Sequence, residues 1–191
     1  MTVKLRACMA LITVGWLLPA AAGCVAPNPP SDSSLTLTAA GEPGTKLLIS
    51  GTVTDQSGRP VAGAGLHVYQ TDASGRYTLE RSMDEAHARL SGRIRTDDGG
   101  HFVLRTIRPG GYPKPLKLGD RERKIPAHIH IDITAAGHAE RRLQVVFADD
   151  PLLSDPYWTD WVRRLHQSVL KVDPATGAAN LVVILDPPGS D

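Results

Sequence analysis

The stretch Pro126-Ala127-His128-Ile129-His130-Ile131-Asp132-Ile133 decides the fold, because its polar and apolar residues alternate. Alternate residues of a β-strand point to opposite faces of the sheet, so the three isoleucines share one face and His128 and His130 share the other. The isoleucine face predicts a strand packed on a hydrophobic core. The histidine face places two imidazoles roughly 6.6 Å apart along the backbone. A metal ion can bridge that gap once the rings lean together.

Short apolar or alternating runs recur from residue 47 onward, separated by Gly, Pro, Asp and Asn. They cover residues 47–53, 65–69, 102–106, 128–133, 143–147 and 181–185. Runs of this length bounded by turn residues are typical of antiparallel sheets packed as a sandwich. Residues 83–90 and 159–170 break the pattern and predict helices. The predicted fold is therefore all-β, an antiparallel β-sandwich with one or two short helices in the connections.

Residues 1–23 predict a signal peptide. Lys4 and Arg6 precede an apolar run that is short for a membrane span and ends in small residues, so cleavage is expected. Two cleavage sites stay open: Ala20-Ala21-Ala22 suits an ordinary signal peptidase, and Ala21-Ala22-Gly23-Cys24 resembles a bacterial lipobox with Ala where Leu is usual. Cysteine usage favours the lipobox, because Cys8 leaves with the signal and Cys24 then has no disulfide partner.

The rest of the chain divides into two parts. Residues 24–46 are rich in Pro, Ser, Thr, Ala and Gly, which predicts a flexible tether, and residues 47–191 are long enough for one domain. We expect a protein secreted across the cytoplasmic membrane, either anchored by a lipid at Cys24 or periplasmic or extracellular. A net charge of +1 with interspersed signs gives no basic stripe for nucleic acid. The oligomeric state stays open.

Several motifs occur in a fixed order around the histidine strand. They are GTVTD at 51–55, YQTDASGRY at 69–77, TIRPGGYP at 106–113, PAHIH at 126–130 and QVVF at 144–147. Together they resemble the intradiol ring-cleavage dioxygenases, the catechol and protocatechuate 3,4-dioxygenases, over residues 48–153. The resemblance depends on the GRY turn, the TIRPGGYP stretch and the PAHIH strand occurring together.

The resemblance implies a non-haem Fe(III) ion held by Tyr77, Tyr112, His128 and His130. It implies that Tyr112 and His130 are axial, that Tyr112 leaves the metal as an internal base, and that Gln144 lines the pocket. The implied reaction inserts both atoms of O2 into a catechol-type ring, so the partners are a small aromatic diol and O2. Fe(III) prefers oxygen ligands, and two phenolates with one hydroxide balance its charge.

Position 125 departs from the family pattern. The ring-cleaving enzymes usually carry an Arg immediately before the Pro of PAHIH, where its charge stabilises the electron-rich substrate, and this chain has Ile125. Adjacent residues of a strand face opposite sides, so Lys124 replaces that charge only if the backbone bulges. Metal binding is thus better supported by the sequence than turnover of simple catechols.

Two other classes compete with the enzyme. Residues 51–64 and 99–112 also resemble transthyretin-like and carboxypeptidase-regulatory-like sandwiches, which are binding modules without a metal; this alternative leaves Tyr77, His128 and His130 unexplained. Cupins and copper-zinc superoxide dismutases also use H-x-H pairs. The cupin pattern needs a Glu near Thr134, and the dismutase needs further histidines at spacings that the chain lacks.

The remaining aromatic side chains are predicted to have packing roles, and the remaining histidines are predicted not to be metal ligands. Tyr69 is expected to fill the sandwich core, because aromatic residues are favoured on strands. Trp158 and Trp161 are expected to be packing anchors. Five histidines match no ligand position and are expected at surface or ordinary polar positions: His67, His87, His101, His138 and His166.

Overall fold

The computed structural model describes residues 33–79, 85–114 and 123–189. The strands in this part of the chain are β1 (Ser34–Thr36), β2 (Lys46–Asp55), β3 (Gly65–Gln70), β4 (Leu90–Arg95), β5 (His101–Ile107), β6 (Tyr112–Lys114), β7 (Arg123–Ile125), β8 (His128–Thr134), β9 (Arg141–Phe147), β10 (Ser168–Leu170) and β11 (Ala178–Leu185). The connections contain the helix α1 (Pro156–Arg164) and 3-10 turns at Glu85–His87 and Pro151–Ser154.

Two large sheets enclose one hydrophobic core. One sheet has the strand order β1-β5-β2-β11, the other has the order β10-β9-β8-β3-β4, and β6 and β7 form a separate ribbon. Apolar side chains from both sheets belong to the same buried cluster, which we call the sandwich core. Its members include Ile49, Leu66, Phe102, Leu104, Ile129, Ile131, Ile133, Val145, Phe147 and Leu185. The predicted β-sandwich is confirmed in this respect.

The direction of the edge strands differs from the prediction. The central pairs β2–β5, β3–β8 and β8–β9 are antiparallel as expected. By contrast, β1 runs parallel to β5, β11 runs parallel to β2, and β10 runs parallel to β9. The prediction of purely antiparallel sheets was therefore wrong at three edges. These strands come from distant parts of the chain, so no tight hairpin forces them to be antiparallel.

Both predicted helices are shorter than their sequence patterns. In place of a helix over residues 83–90 there is one 3-10 turn, Glu85–His87, followed by β4, while residues 83–84 lie outside the described residues. The second helix begins at Pro156, because the Asp155 side chain accepts a hydrogen bond from the Tyr157 N–H. It ends at Arg164, just before His166 adopts a positive φ of 48°. The last part of the predicted helix is β10.

Part of the N-terminal segment that was predicted as a tether belongs to the folded domain. β1 lies within residues 24–46, the stretch predicted as a tether, and Leu35 and Leu37 pack against the sandwich core. The predicted signal peptide, Cys24 and the tether up to residue 32 lie outside the described residues. Within the described ranges, no helix is both long and apolar enough to cross a membrane.

The strand β8 connects the core to the other face of its sheet. Ile129, Ile131 and Ile133 are fully buried in the sandwich core, as the alternation predicts. His128 and His130 point to the opposite face, where the connections and α1 cover them. In the register of the sheet, His130 lies between Tyr69 of β3 and Gln144 of β9.

Candidate metal centre

Four predicted ligands meet on the outer face of the five-stranded sheet. The Tyr77 hydroxyl lies 3.1 Å from Nε2 of His130, and Nε2 of His128 lies 3.0 Å from the same nitrogen. The Tyr112 ring centroid is 5.7 Å from that of Tyr77 and 5.6 Å from that of His128. Side chains from three distant stretches of sequence are thus brought together around one point.

The four side chains are nearly inaccessible to solvent. Their exposed fractions are 1% for Tyr77, 5% for Tyr112, 3% for His128 and 7% for His130. The tyrosines belong to a second buried cluster, which we call the aromatic cluster. It comprises Tyr77, Ala88, Tyr112, Ile125 and Trp158. Polar groups buried this deeply need hydrogen-bond or metal partners, so the cluster is built to hold a polar centre.

Glycines bring the two tyrosine loops into contact. Gly75 has a positive φ of 82°, and a Cβ there would lie 2.5 Å from the carbonyl oxygen of Gly111. A Cβ on Gly110 would lie 2.6 Å from the amide nitrogen of Gly75. The loop before Tyr77 and the loop before Tyr112 therefore pack backbone against backbone. This contact explains why the GRY and TIRPGGYP motifs occur together.

The backbone determines which nitrogen of His128 is available. Its Nδ1–H donates a hydrogen bond to the carbonyl oxygen of Pro126 at 2.7 Å. In the neutral imidazole the other nitrogen, Nε2, then carries the lone pair and points at His130. Nε2 of His128 is thereby left with its lone pair directed toward the centre.

Gln144 is the neighbour of His130 on the next strand. Its amide nitrogen lies 3.5 Å from Nδ1 of His130. Among the described residues, Oε1 of Gln144 is buried without a hydrogen-bond partner. A half-turn of the amide would bring this oxygen to Nδ1, where it would accept the ring N–H and leave Nε2 free to bind a metal. Gln144, which the resemblance assigns to the pocket wall, lies beside His130 and lines a small cavity next to the centre.

Burial controls the pKa of the two phenols. Burial raises the pKa of Tyr77, and the neighbouring Tyr112 raises it further. Burial is also the largest cause of the raised pKa of Tyr112; a hydrogen bond from Tyr77 lowers that pKa and the Glu85 carboxylate raises it. Both phenols therefore keep their protons near neutral pH unless a strong positive charge shares the site.

The histidine pair needs the tyrosines to complete a donor set. In the part of the chain that the structure describes, no three His, Cys, Asp or Glu side chains are arranged to hold a metal ion. Tyr77 and Tyr112 add two phenol oxygens to the two imidazoles. Two oxygen and two nitrogen donors suit a hard trivalent ion such as Fe(III).

The sequence did not reveal the role of Glu85. Its Oε1 accepts a hydrogen bond from the Tyr112 hydroxyl at 3.4 Å, and its Oε2 lies 4.0 Å from Nε2 of His130. Glu85 belongs to an isolated 3-10 turn rather than to a strand with a readable alternation. Only the tertiary fold brings its carboxylate to the centre, so no local pattern could have identified it.

Tyr69 does not fill the sandwich core, and that prediction was wrong. Its ring stacks on His130 with centroids 4.4 Å apart and planes inclined by 5°. In β3 the core positions belong to Leu66 and Val68, so Tyr69 shares the outer face with His67. The strand alternation contained this information, because Tyr69 is one residue out of phase with the apolar positions.

A small cavity of about 140 Å³ adjoins the centre. Its walls include Glu85, Tyr112, Ile125, His128, Trp158 and Trp161. Ile125 pairs with Tyr112 and Lys124 with Pro113 in regular register, so the β6–β7 ribbon has no bulge at this point. Ile125 is buried at the cavity and Lys124 is exposed. The two tryptophans are the predicted packing anchors, and they also form part of this wall.

The sequence matches the family model Dioxygenase_C, described as "Dioxygenase", over residues 24–180. Chlorocatechol 1,2-dioxygenase of Rhodococcus opacus is 32% identical over 143 residues, which are 70% of this chain and 56% of that protein. The protocatechuate 3,4-dioxygenase beta chain of Burkholderia cepacia is 35% identical over 139 residues, 66% of this chain and 57% of that protein. The chain spans about half the length of the curated relatives it matches, from 38% to 57%.

Solved structures share the fold. The crystal structure of 3-chlorocatechol 1,2-dioxygenase from Rhodococcus opacus 1CP superposes with a TM-score of 0.65 at 26% identity, covering 83% of this chain and 68% of that one. The dioxygenase domain of a dioxygenase carbohydrate-binding protein fusion from Streptomyces sp. SirexAA-E superposes with a TM-score of 0.58 at 25% identity. It covers 85% of this chain and 95% of that domain.

Proposed function

We infer that this chain, which belongs to the intradiol ring-cleavage dioxygenase family, cleaves a catechol-type aromatic ring by inserting both atoms of O2. The observation that carries this inference is the convergence of Tyr77, Tyr112, His128 and His130 in one buried site. A metal-free binding module would account for the sandwich but not for the convergence of these four side chains. The reaction breaks the ring bond between the two hydroxylated carbons and yields a dicarboxylic acid that contains both oxygen atoms.

The donor set fits a ferric ion. Tyr77 and Tyr112 would supply phenolate oxygens, while His128 and His130 would supply Nε2 nitrogens. Fe(III) bound there would favour the deprotonated form of a catechol and activate its ring for reaction with O2. Burial raises the pKa of both phenols, so each would become a phenolate ligand only with a strong cation such as Fe(III) in the site.

The residues of the chain would divide the remaining work. His128 and His130 lie on the central strand β8, whose other face is fixed in the sandwich core, so their nitrogens are held in place. Tyr112 lies at the edge of the cavity, where its phenolate would accept a proton from the diol as the diol enters. Trp158 and Trp161 would stack against the ring and exclude water.

Isotope incorporation tests this function directly. The iron-loaded protein is mixed with catechol under isotopically heavy dioxygen, and the product is examined by mass spectrometry. We expect a ring-opened dicarboxylate that carries both heavy atoms. His130→Ala should abolish the product, whereas His138→Ala, which replaces a histidine of the Ala136 turn, should leave it unchanged. Iron-loaded, folded protein that consumes no O2 with any catechol would refute the proposal.

We also propose that the protein acts outside the cytoplasm and is anchored by a lipid at Cys24. The support is the signal-like composition of residues 1–23 and the single cysteine that follows. Metabolic labelling with a fatty acid should mark the chain in a bacterial host, and Cys24→Ser should abolish the label. An unlabelled chain released in soluble form would favour ordinary signal cleavage.

A further inference from the structure

A carboxylate reaches the cavity beside the candidate metal centre. Glu85 lines this cavity, and its oxygens lie 3.4 Å from the Tyr112 hydroxyl and 4.0 Å from Nε2 of His130. The Glu85 side chain is 43% exposed, while the His130 side chain is 9% exposed. Glu85 is therefore at the border between solvent and the buried centre, where a substituent on a bound ring would project.

The other described walls of the cavity carry no balancing cation. They are formed by aromatic rings, by the Gln144 amide, by Ile125 and by His128, whose Nε2 faces the centre. Lys124 of the ribbon is exposed and is not among the residues that line the cavity. Among the described walls, a substituent at the mouth of the site thus meets a negative charge and aromatic faces.

We propose that Glu85 is a specificity determinant that disfavours catechols with an anionic substituent and favours those with a neutral or cationic one. The proposal rests on the proposed function, because it concerns the substrate of that same site. An anionic substituent would be repelled by Glu85, and the half-buried position strengthens the repulsion compared with bulk water. A cationic substituent would be attracted by the same carboxylate and by the faces of Trp158 and Trp161.

Three ring-substituted catechols of nearly equal size, which differ mainly in the charge of the substituent, test this proposal. They are 3,4-dihydroxybenzoate, 3,4-dihydroxybenzamide and 3,4-dihydroxybenzylamine, which are anionic, neutral and cationic at neutral pH. Their dissociation constants are measured by calorimetry on iron-loaded protein without oxygen, so that binding is observed without turnover. We expect the amide to bind about tenfold more tightly than the benzoate, and the amine to bind at least as tightly as the amide.

The variant Glu85→Gln removes the charge and keeps the size of the side chain. It should reduce the ratio between amide and benzoate to about twofold or less, whereas Glu140→Gln, on the exposed turn before β9, should keep the wild-type ratio. Equal ratios in wild type and Glu85→Gln would overturn the assignment of Glu85 while leaving the proposed function in place. Failure of all three catechols to bind would overturn both.

Discussion

The sandwich core and the aromatic cluster are built on opposite faces of one strand. On one face of β8, Ile129, Ile131 and Ile133 pack among the apolar side chains of the sandwich core, which have no hydrogen bonds to satisfy. On the other face, His128 and His130 lie among phenols, an amide and a carboxylate. The core is therefore held by shape and apolar area, whereas the centre is held by directed contacts.

This difference determines how each region responds to change. Loss of buried methyl groups removes apolar contact area and leaves a cavity. A substitution in the core should therefore lower the stability of the whole domain. Loss of one polar atom at the centre should leave the fold standing and alter what the centre binds. The expected free-energy changes decrease from Ile131 in the core, through Gln144 at the centre, to Asp150 between them.

The largest effect should come from the core. Ile131 is completely buried between the sheets, and Ile131→Ala should lower the free energy of unfolding by about 2–5 kcal/mol. Denaturant unfolding followed by circular dichroism measures this change. The protein that remains folded should bind iron with unchanged stoichiometry, because no contact of the centre is altered. A stable variant that no longer binds iron would show that the core and the metal centre are not independent of each other.

An intermediate effect is expected at Gln144. Gln144→Leu removes the amide beside Nδ1 of His130 and should weaken iron binding by about 10- to 100-fold, as observed when groups that orient a metal ligand are removed. Competition with a chelator of known affinity provides the measurement. Gln144→Glu keeps an acceptor for the ring N–H and should retain most of the affinity. If both variants bind iron equally well, Gln144 does not orient His130.

The smallest effect should come from Asp150, which joins the two regions. Its Oδ2 accepts a hydrogen bond from the Ala127 N–H at 2.9 Å, and its Oδ1 accepts one from the Leu152 N–H at 3.0 Å. Asp150 is the N-cap of the 3-10 turn Pro151–Ser154, so Asp150→Ala should cost about 0.5–2 kcal/mol of stability. Thermal unfolding measures the loss, and Asp150→Asn should lose less because it keeps one acceptor oxygen. An unchanged melting temperature in Asp150→Ala would show that this connection does not stabilise the fold.

The sequence predicted the features that repeat with the period of a strand. The alternation in β8 correctly assigned the isoleucines to the core and the two histidines to the other face. The same rule applied to β3 would have moved Tyr69 out of the core. Strand direction at the edges was not predictable, because β1, β10 and β11 pair with strands that are distant in sequence.

For the candidate site, the sequence identified some residues and missed others. Tyr77 and Tyr112 were identified from a family resemblance and not from any periodicity, and the glycine contact between their loops now gives a physical reason for it. Glu85 was missed because it reaches the centre from a single 3-10 turn. Contacts made by isolated turns depend on tertiary packing, and no local pattern in a sequence records them.

The visible absorption spectrum of the iron-loaded protein is the decisive measurement for the proposed coordination by two phenolates and two imidazoles. If Tyr77, Tyr112, His128 and His130 hold Fe(III), charge transfer from the phenolates should give a strong visible band and a red colour. Tyr77→Phe should bleach or shift this band while the far-ultraviolet circular dichroism of the sandwich stays unchanged. A colourless iron complex, or a band that Tyr77→Phe leaves unaltered, would contradict the proposed coordination.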